Sequence, residues 1–486
     1  MNKPLRRIAV FCGILILALL VRTNYLQYVR ADELNTRDEN RRVRIERYAH
    51  ERGDIIVDGG KAVTGSKETK DSDFKYKRVW QDGPTWAPVT GYSSQAFGAT
   101  QLESIEDGIL TGNDDQLFFD RTMSMFTKDK KQGGNIVTTL NAAAQKAAFA
   151  GLGDKKGAVA ALDPQTGAIL ALASTPSYDP STFAGNSDKD SKAWQALQKD
   201  KDKPMLNRAL RETYPPGSTF KVVTAAAALE NGLYTDIDAK TRSPLPYRLP
   251  LSTRNLDNEN NIPCENVSLR EALRMSCNTV FGKISDDLGN QKMIDEANRF
   301  GFNKDVFVPV RATASIYPKD NRPQNAMAGI GQASNRATPL QMAMVASAVA
   351  NDGKLMQPYM VAKRQSPSLD DIYTHQPEQL SQPLSGENAQ KLQEMMKTVV
   401  ESGTGGNAKI PGVTVGGKTG TAQHGLGNSE KPYAWFISYA KTDSGSPVAV
   451  AVVVEDGKAN RDDVSGGGLA APIAKAVMEA VIDGKR

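Results

Sequence analysis

Apolar residues are spread unevenly along this chain, and the unevenness divides it. Ile8–Val21 is an apolar run broken only by Gly13, and Lys3, Arg6 and Arg7 precede it. As a helix, that run rises roughly 21 Å, short of a hydrocarbon core about 30 Å thick; continuing to Tyr28 gives about 31 Å. Arg22 then reaches back to the headgroups, and Tyr25 and Tyr28 sit in the interface. Residues 8–28 therefore read as a transmembrane anchor. An uncleaved anchor is favoured over a cleaved signal peptide, because no small-x-small site with a clean polar flank follows. Basic residues before the run put tail 1–7 in the cytoplasm and everything after Arg30 outside, across the plasma membrane.

Beyond the anchor the pattern turns polar. Residues 31–50 read as a solvated stalk, helix or strand, with Arg37, Arg41, Arg42 and Arg44 among acids. Arg52–Gly60 then reads as a short strand ending in a glycine turn. Residues 61–130 hold only short apolar patches and no catalytic constellation. They end in the basic loop Lys128–Lys131 before Gly133-Gly134, the boundary expected between a domain over 31–134 and another over 135–486. After it the periodicities sharpen. Asn135–Leu140 reads as a strand, Asn141 as the N-cap of an alanine-rich helix over 142–152, and Gly157–Leu162 with Ala168–Ala173 as a hairpin. The helix after Ser385 places Leu392, Met395, Met396 and Val399 on a core-facing side. Val413–Thr421, Ala434–Ala440 and Val448–Glu455 read as three adjacent strands, with Ala470–Ile482 an amphipathic helix that packs on them.

Composition narrows the function classes. A chain of 486 residues holds two or three domains. A net charge of +5, with no basic run carrying interleaved aromatics, argues against nucleic acid as a partner. No metal site and no cofactor is expected, since no H-E-x-x-H, C-x-x-C or clustered His/Cys/Asp set occurs. His50, His375 and His424 lie in a charged stretch, a polar loop and beside glycines, which gives a Ser-His-Asp triad little support. Cys12 is placed in the membrane. Cys264 and Cys277 either pair, if the chain folds outside the cytoplasm, or remain two thiols.

The chemistry gathers at three short motifs. Ser-x-x-Lys occurs at Ser72, Ser218 and Ser438. Ser72 sits in a polar stretch and Ser438 near the end of a strand, where i and i+3 point to opposite faces. Only Ser218 follows a stop (Pro215-Pro216-Gly217) and opens an apolar helix, which sets its hydroxyl beside Lys221. A serine becomes a nucleophile when a base takes its proton. Ser276-Cys277-Asn278 follows a helical stretch, and Lys418-Thr419-Gly420-Thr421 lies on an expected strand. A second cation about 4 Å from Lys221 would repel it by roughly 4 kcal/mol at an effective dielectric near 20, enough to lower its pKa by about three. Lys418 is the candidate for that cation, and desolvation acts in the same direction. Ser276 then passes a proton between Lys221 and a leaving amine, and Asn278 orients a peptide. Gly420 lets a substrate backbone lie close along the strand, and Lys418, Thr419 and Thr421 suit a terminal carboxylate. The N–H groups of Ser218 and Thr421 make a candidate oxyanion hole.

The ordered set Ser-x-x-Lys, Ser-x-Asn, Lys-Thr-Gly resembles that of the penicillin-binding proteins, most closely the monofunctional class B type. The resemblance covers nearly the whole chain. It includes Arg52-Gly53-Asp54-Ile55 in the pedestal, the hairpin Ala160–Ala171, the segment Tyr214–Lys221, and Gly329–Gln332 followed by Thr338–Ala343. It implies an α/β (α+β) transpeptidase domain, a five-stranded antiparallel sheet flanked by helices, joined to a non-catalytic pedestal and one anchor. It also implies Ser218 as acylated nucleophile, Lys221 as its base, Ser276 and Asn278 as the second motif, and Lys418, Thr419, Gly420 and Thr421 on the substrate-carboxylate side. The implied substrate is a peptidoglycan stem ending in D-Ala-D-Ala, the implied inhibitors are β-lactams, and the implied partners are proteins of a division or elongation complex. The pedestal is short for the class and resembles the compact actinobacterial division type. The stretch before the boundary is too short for a glycosyltransferase domain.

Three other readings compete. A serine β-lactamase shares the motifs but needs a base for its deacylating water, and the sequence places none. A D,D-carboxypeptidase forms the same acyl-enzyme and resolves it with water. A ligand-binding sensor without turnover is disfavoured by three intact motifs.

Overall fold

The computed structural model describes residues 2–35, 41–70, 73–117, 132–455 and 460–484. Arg37, Ser72 and the basic loop at 128–131 lie outside the described residues. Two five-stranded sheets organise the chain. Their strands are β1 (Ile55–Val57), β2 (Lys61–Ala62), β3 (Asn135–Thr138), β4 (Lys156–Leu162), β5 (Ile169–Thr175), β6 (Val361–Gln365), β7 (Asp371–Thr374), β8 (Thr414–Ala422), β9 (Tyr433–Thr442) and β10 (Gly445–Glu455). The helices that matter for the site are α1 (Asn2–Tyr28), α2 (Ala142–Leu152), α3 (Lys221–Glu230), α4 (Leu269–Met275), α5 (Asn278–Leu288), α6 (Pro339–Ala350), α7 (Gly386–Ser402) and α8 (Ala471–Gly484).

The second sheet runs β8-β9-β10-β4-β5 and is antiparallel throughout. Apart from β8, which carries Lys418 and three threonines, its strands are apolar at most positions because both faces are covered. Along β10, Ala449, Ala451 and Val453 join one core and Val448, Val450, Val452 and Val454 the other. This is the two-residue alternation of a strand written twice over. The first core holds α3, α6 and α7, and the second holds α2 and α8. Leu392, Met395, Met396 and Val399 are fully buried, as their helical spacing predicts. Asn141 caps α2 by accepting from the Ala144 N–H at 2.8 Å.

The first sheet runs β7-β6-β3-β1-β2 and crosses residue 134. β3 lies parallel to β1, with Ile55 opposite Ile136, and antiparallel to β6. The strand expected to open the second part of the chain thus ties it to the first. Against this sheet packs a buried ion network. Arg52 donates to Glu103 at 2.6 Å and to Asp107 at 2.7 Å, and Arg78 donates to the other Glu103 oxygen at 2.7 Å. α1 is exposed along its length and, among the described residues, is the one helix long and apolar enough to cross a membrane.

Candidate active site

The site begins where the chain cannot enter a helix smoothly. Pro215 and Pro216 precede Gly217, which has φ +54° and donates its N–H to Gly331 O at 2.9 Å. A Cβ on Gly331 would lie 2.0 Å from Gly217 O, so this contact needs a glycine there. Gly217–Phe220 is a 3-10 turn, and α3 starts only at Lys221. The helix expected from Ser218 onward is therefore tighter in its first turn. In a 3-10 turn side chains at i and i+3 eclipse, which keeps Ser218 and Lys221 on one side. The turn packs on β8. A Cβ on Gly420 would come within 3.0 Å of Thr219 Cγ2, so the glycine lets the strand lie close to the Ser218 turn.

Lys221 is completely buried. Its Nζ donates to Ser276 O at 2.7 Å, to Asn278 Oδ1 at 2.7 Å and, more weakly, to Ser276 Oγ at 3.3 Å. Lys418, also completely buried, donates to Ser276 Oγ at 2.9 Å and to Thr419 O at 2.9 Å. Ser276 thus bridges the two lysine side chains. It does so from a left-handed conformation, φ +63°, at the C-terminus of α4, uncommon for a residue other than glycine. Asn278 opens α5 and donates from Nδ2 to Asp257 O at 3.0 Å. Cys264 and Cys277 are disulfide-bonded, with Cα atoms 6.0 Å apart, so the alternative left open by the sequence resolves to a bridge beside the second motif.

Burial is the main influence on both lysines. It pushes Lys221 far below the usual lysine range, the charge of Lys418 adds to the effect, and Glu259 opposes it. Burial likewise lowers Lys418 to about 7, again against Glu259. The sequence-based expectation put the neighbouring cation first; desolvation is the larger cause. Neither lysine has a carboxylate in contact among the described residues.

A cleft of about 300 Å³ opens at Ser218. Ser218 is half-buried, and its hydroxyl makes no hydrogen bond among the described residues. Asn278 and Thr421 line the same cleft, while Lys221, Ser276 and Lys418 lie outside its lining. Thr419 is turned elsewhere, and its hydroxyl meets Thr404 Oγ1 at 2.6 Å. The arrangement can take a proton from a serine hydroxyl, hold it on a buried amine, and return it through Ser276.

Comparison with known proteins agrees with this geometry. Residues 157–479 match the penicillin-binding protein transpeptidase domain, and residues 52–136 match the penicillin-binding protein A dimerisation domain. The chain is 40% identical to the peptidoglycan D,D-transpeptidase PbpA of Mycolicibacterium smegmatis, over 99% of each chain. The chain belongs to the class B penicillin-binding proteins. Among solved structures, the ceftriaxone acyl-enzyme of penicillin-binding protein A from M. tuberculosis superposes with a TM-score of 0.85 at 39% identity, over 90% of this chain and all of that one. A D,D-transpeptidase domain from Eggerthella lenta superposes with a TM-score of 0.76 at 31% identity, over 90% of this chain and 99% of that one.

The class B fold also brings residues to the cleft that the motifs did not single out. Ile330 and Gln332 come from the segment whose resemblance to the family was recognised without a role. Leu256, Asp257, Asn258 and Glu259 come from the loop before Cys264, and Gln423 and Asn428 from beyond β8. Nothing local in the sequence marks these residues, because the tertiary fold alone sets them facing Ser218. The other Ser-x-x-Lys serine within the described residues, Ser438, is buried in β9 against Met478. His375 and His424 stack on Tyr359 and Tyr433, and His50 faces Glu46.

Proposed function

We propose that this protein is a peptidoglycan D,D-transpeptidase that works through an acyl-enzyme on Ser218 and is blocked covalently by β-lactams. Neutral Lys221 takes the Ser218 proton as Oγ attacks the carbonyl carbon of the penultimate D-Ala. The Oγ–C bond forms, and the N–H groups of Ser218 and Thr421 receive the developing oxyanion. The C–N bond to the terminal D-Ala then breaks, and the proton held by Lys221 reaches the leaving amine through Ser276. In the second half, the amine of another stem attacks the ester carbon. The C–N bond forms, the C–Oγ bond breaks, and the amine's proton returns to Ser218 by the same route. Thr421, which lines the cleft, takes the carboxylate side of the donor, with Lys418 supplying positive charge from three residues earlier on β8, and Asn278 orients the donor backbone. A β-lactam opens on the same serine and leaves no amine to depart.

The observation that carries this reading is the bridged run Lys221–Ser276–Lys418, whose two buried lysines have no carboxylate contact among the described residues, next to Ser218, whose hydroxyl makes no hydrogen bond among them. Residues 8–28 hold the protein in the plasma membrane with its N-terminus cytoplasmic. Residues 31–134 form the pedestal and 135–486 the transpeptidase domain, which works within a division or elongation complex. The Cys264–Cys277 disulfide favours an extracytoplasmic site, where such bonds persist. Intact-mass analysis after exposure to benzylpenicillin tests the reading. Wild type should gain one penicillin, and Ser218→Ala none. Labelling that survives the substitution contradicts it. A stem peptide supplied with an amine should yield the cross-linked amide; shortened peptide alone would identify a carboxypeptidase.

A further inference from the structure

The cleft at Ser218 has an acidic wall whose purpose the donor half-reaction leaves open. Glu259 lines the cleft together with Ser218, Asn278 and Thr421, and it is exposed to solvent. It forms no ion pair with any described residue, and no lysine or arginine lines the cleft. The segment that carries it is fixed to the second motif rather than loose. Asn278 Nδ2 donates to Asp257 O at 3.0 Å, the Thr279 N–H donates to Asn258 Oδ1 at 3.0 Å, and Asn258 Nδ2 donates to Ile262 O at 3.1 Å. The Cys264–Cys277 bridge anchors the same segment from its other end. Glu259 then starts a short turn that contains Asn260 at φ +54°.

A carboxylate there cannot serve the donor stem, whose own terminal carboxylate it repels. The acyl-enzyme has released that carboxylate and waits for its second substrate. Water competes for the ester at far higher concentration, so productive transfer needs the amine concentrated at the cleft. The amine arrives from solvent as an ammonium ion. An unpaired exposed carboxylate attracts such a cation and has no comparable attraction for water. A base serving a deacylating water would instead need a buried position with further polar partners to hold that water.

We propose that Glu259 is the acceptor-specificity residue, drawing the ammonium form of the incoming amine to the acyl-enzyme before it loses its proton to solvent and attacks. This rests on the transpeptidase reading and names the second substrate class, an amine cationic at neutral pH. The test uses the full chain in detergent, a D-alanyl thioester as donor and two acceptors at pH 8: Nα-acetyl-lysine amide, which carries a side-chain ammonium, and hydroxylamine, which is uncharged. Active sites are counted by labelled penicillin, so a failure of the Ser218 reading shows as unlabelled wild-type protein before any acceptor is added. Glu259→Gln should raise KM for the lysine derivative at least threefold and change its limiting transfer rate less. KM for hydroxylamine should stay within experimental error. Raising the salt to 0.5 M should erase the difference between wild type and variant, as expected for an exposed charge (about one Debye length of 4–5 Å). Glu259→Asp should recover part of the loss. Equal KM values for the lysine derivative in wild type and Glu259→Gln would overturn the proposal. A selective fall in hydrolysis would overturn it too, by making Glu259 the base for water. Equal losses with both acceptors would assign the residue to loop structure instead.

Discussion

Arg52 with Arg78, and Lys221 with Lys418, are two buried pairs of basic side chains whose surroundings differ. In the pedestal, Arg52 and Arg78 share Glu103, and Arg52 also holds Asp107. Burial works to lower the Arg52 pKa, but Glu103 and Asp107 outweigh it and the group is held above its ordinary value. At Arg78 burial is the larger influence and lowers the group against Glu103, yet a guanidinium starts so high that it keeps its charge. In the transpeptidase domain, Lys221 and Lys418 are equally buried but meet only carbonyl, amide and hydroxyl oxygens. There burial prevails, and both lysines are lowered. The residue types match the tasks. A guanidinium keeps its charge and meets carboxylates through a rigid fork, whereas a buried amine readily gives up its proton. Burial leaves a cation structural when a carboxylate comes with it, and leaves an amine able to serve as a base when none does.

The comparison breaks most sharply if the proposed base is removed. Lys221→Met should slow penicillin acylation of Ser218 by about 10²- to 10⁴-fold, the usual contribution of a positioned base, in stopped-flow or quench measurements. A loss under tenfold would move the base elsewhere. In the pedestal the corresponding cut falls on stability. Glu103→Gln leaves two buried guanidinium groups short of a counter-charge and should cost about 3–5 kcal/mol in denaturant unfolding. The protein that remains folded should still acylate at the wild-type rate.

The next effect separates the pairs by pH. Lys418 falls from an ordinary 10.5 to about 7 on folding. Between those values the unfolded chain binds the extra proton, so stability from this group rises with pH from 7 to 10.5, is lost progressively as pH falls back over that range, and is gone below about 7. Lys418→Met should therefore stabilise the fold most below pH 7, by on the order of 5 kcal/mol, and least above pH 10. A stability difference that does not vary with pH would show that Lys418 keeps its charge. The smallest effect belongs to the bridge. Ser276→Ala removes the hydroxyl between the lysines, but Ser276 O and Asn278 Oδ1 still hold Lys221, so acylation should fall by only about tenfold.

Local patterns made the anchor, the antiparallel sheet and the three motifs legible. An apolar run, a two-residue alternation and a serine following Pro-Pro-Gly each carry their own physical reason. What stayed hidden depends on distant segments meeting. Nothing near Arg52 announces Glu103, and nothing near Asn135–Thr138 shows that this strand pairs with β1 on the far side of the boundary. Glu259 reaches the cleft for the same reason. Two cysteines 13 residues apart left pairing open until the fold set their Cα atoms at bridging distance. Alternation put Thr419 and Thr421 on one face of a strand, but only packing shows that Thr404 occupies the first and the cleft the second. The order of influences on Lys221 was also hidden, because burial is a property of the whole domain.

The pH dependence of Ser218 acylation by benzylpenicillin, followed from pH 5 to 10.5, tests most directly whether a buried, unpaired lysine is the base. A base held neutral by its surroundings predicts a rate that is already level across the range where an ordinary lysine titrates, because burial and the charge of Lys418 hold Lys221 well below that range. A rate that still climbs tenfold per pH unit between 8 and 10 would mean an ordinary, charged lysine, and would contradict the distinction drawn between the two buried pairs.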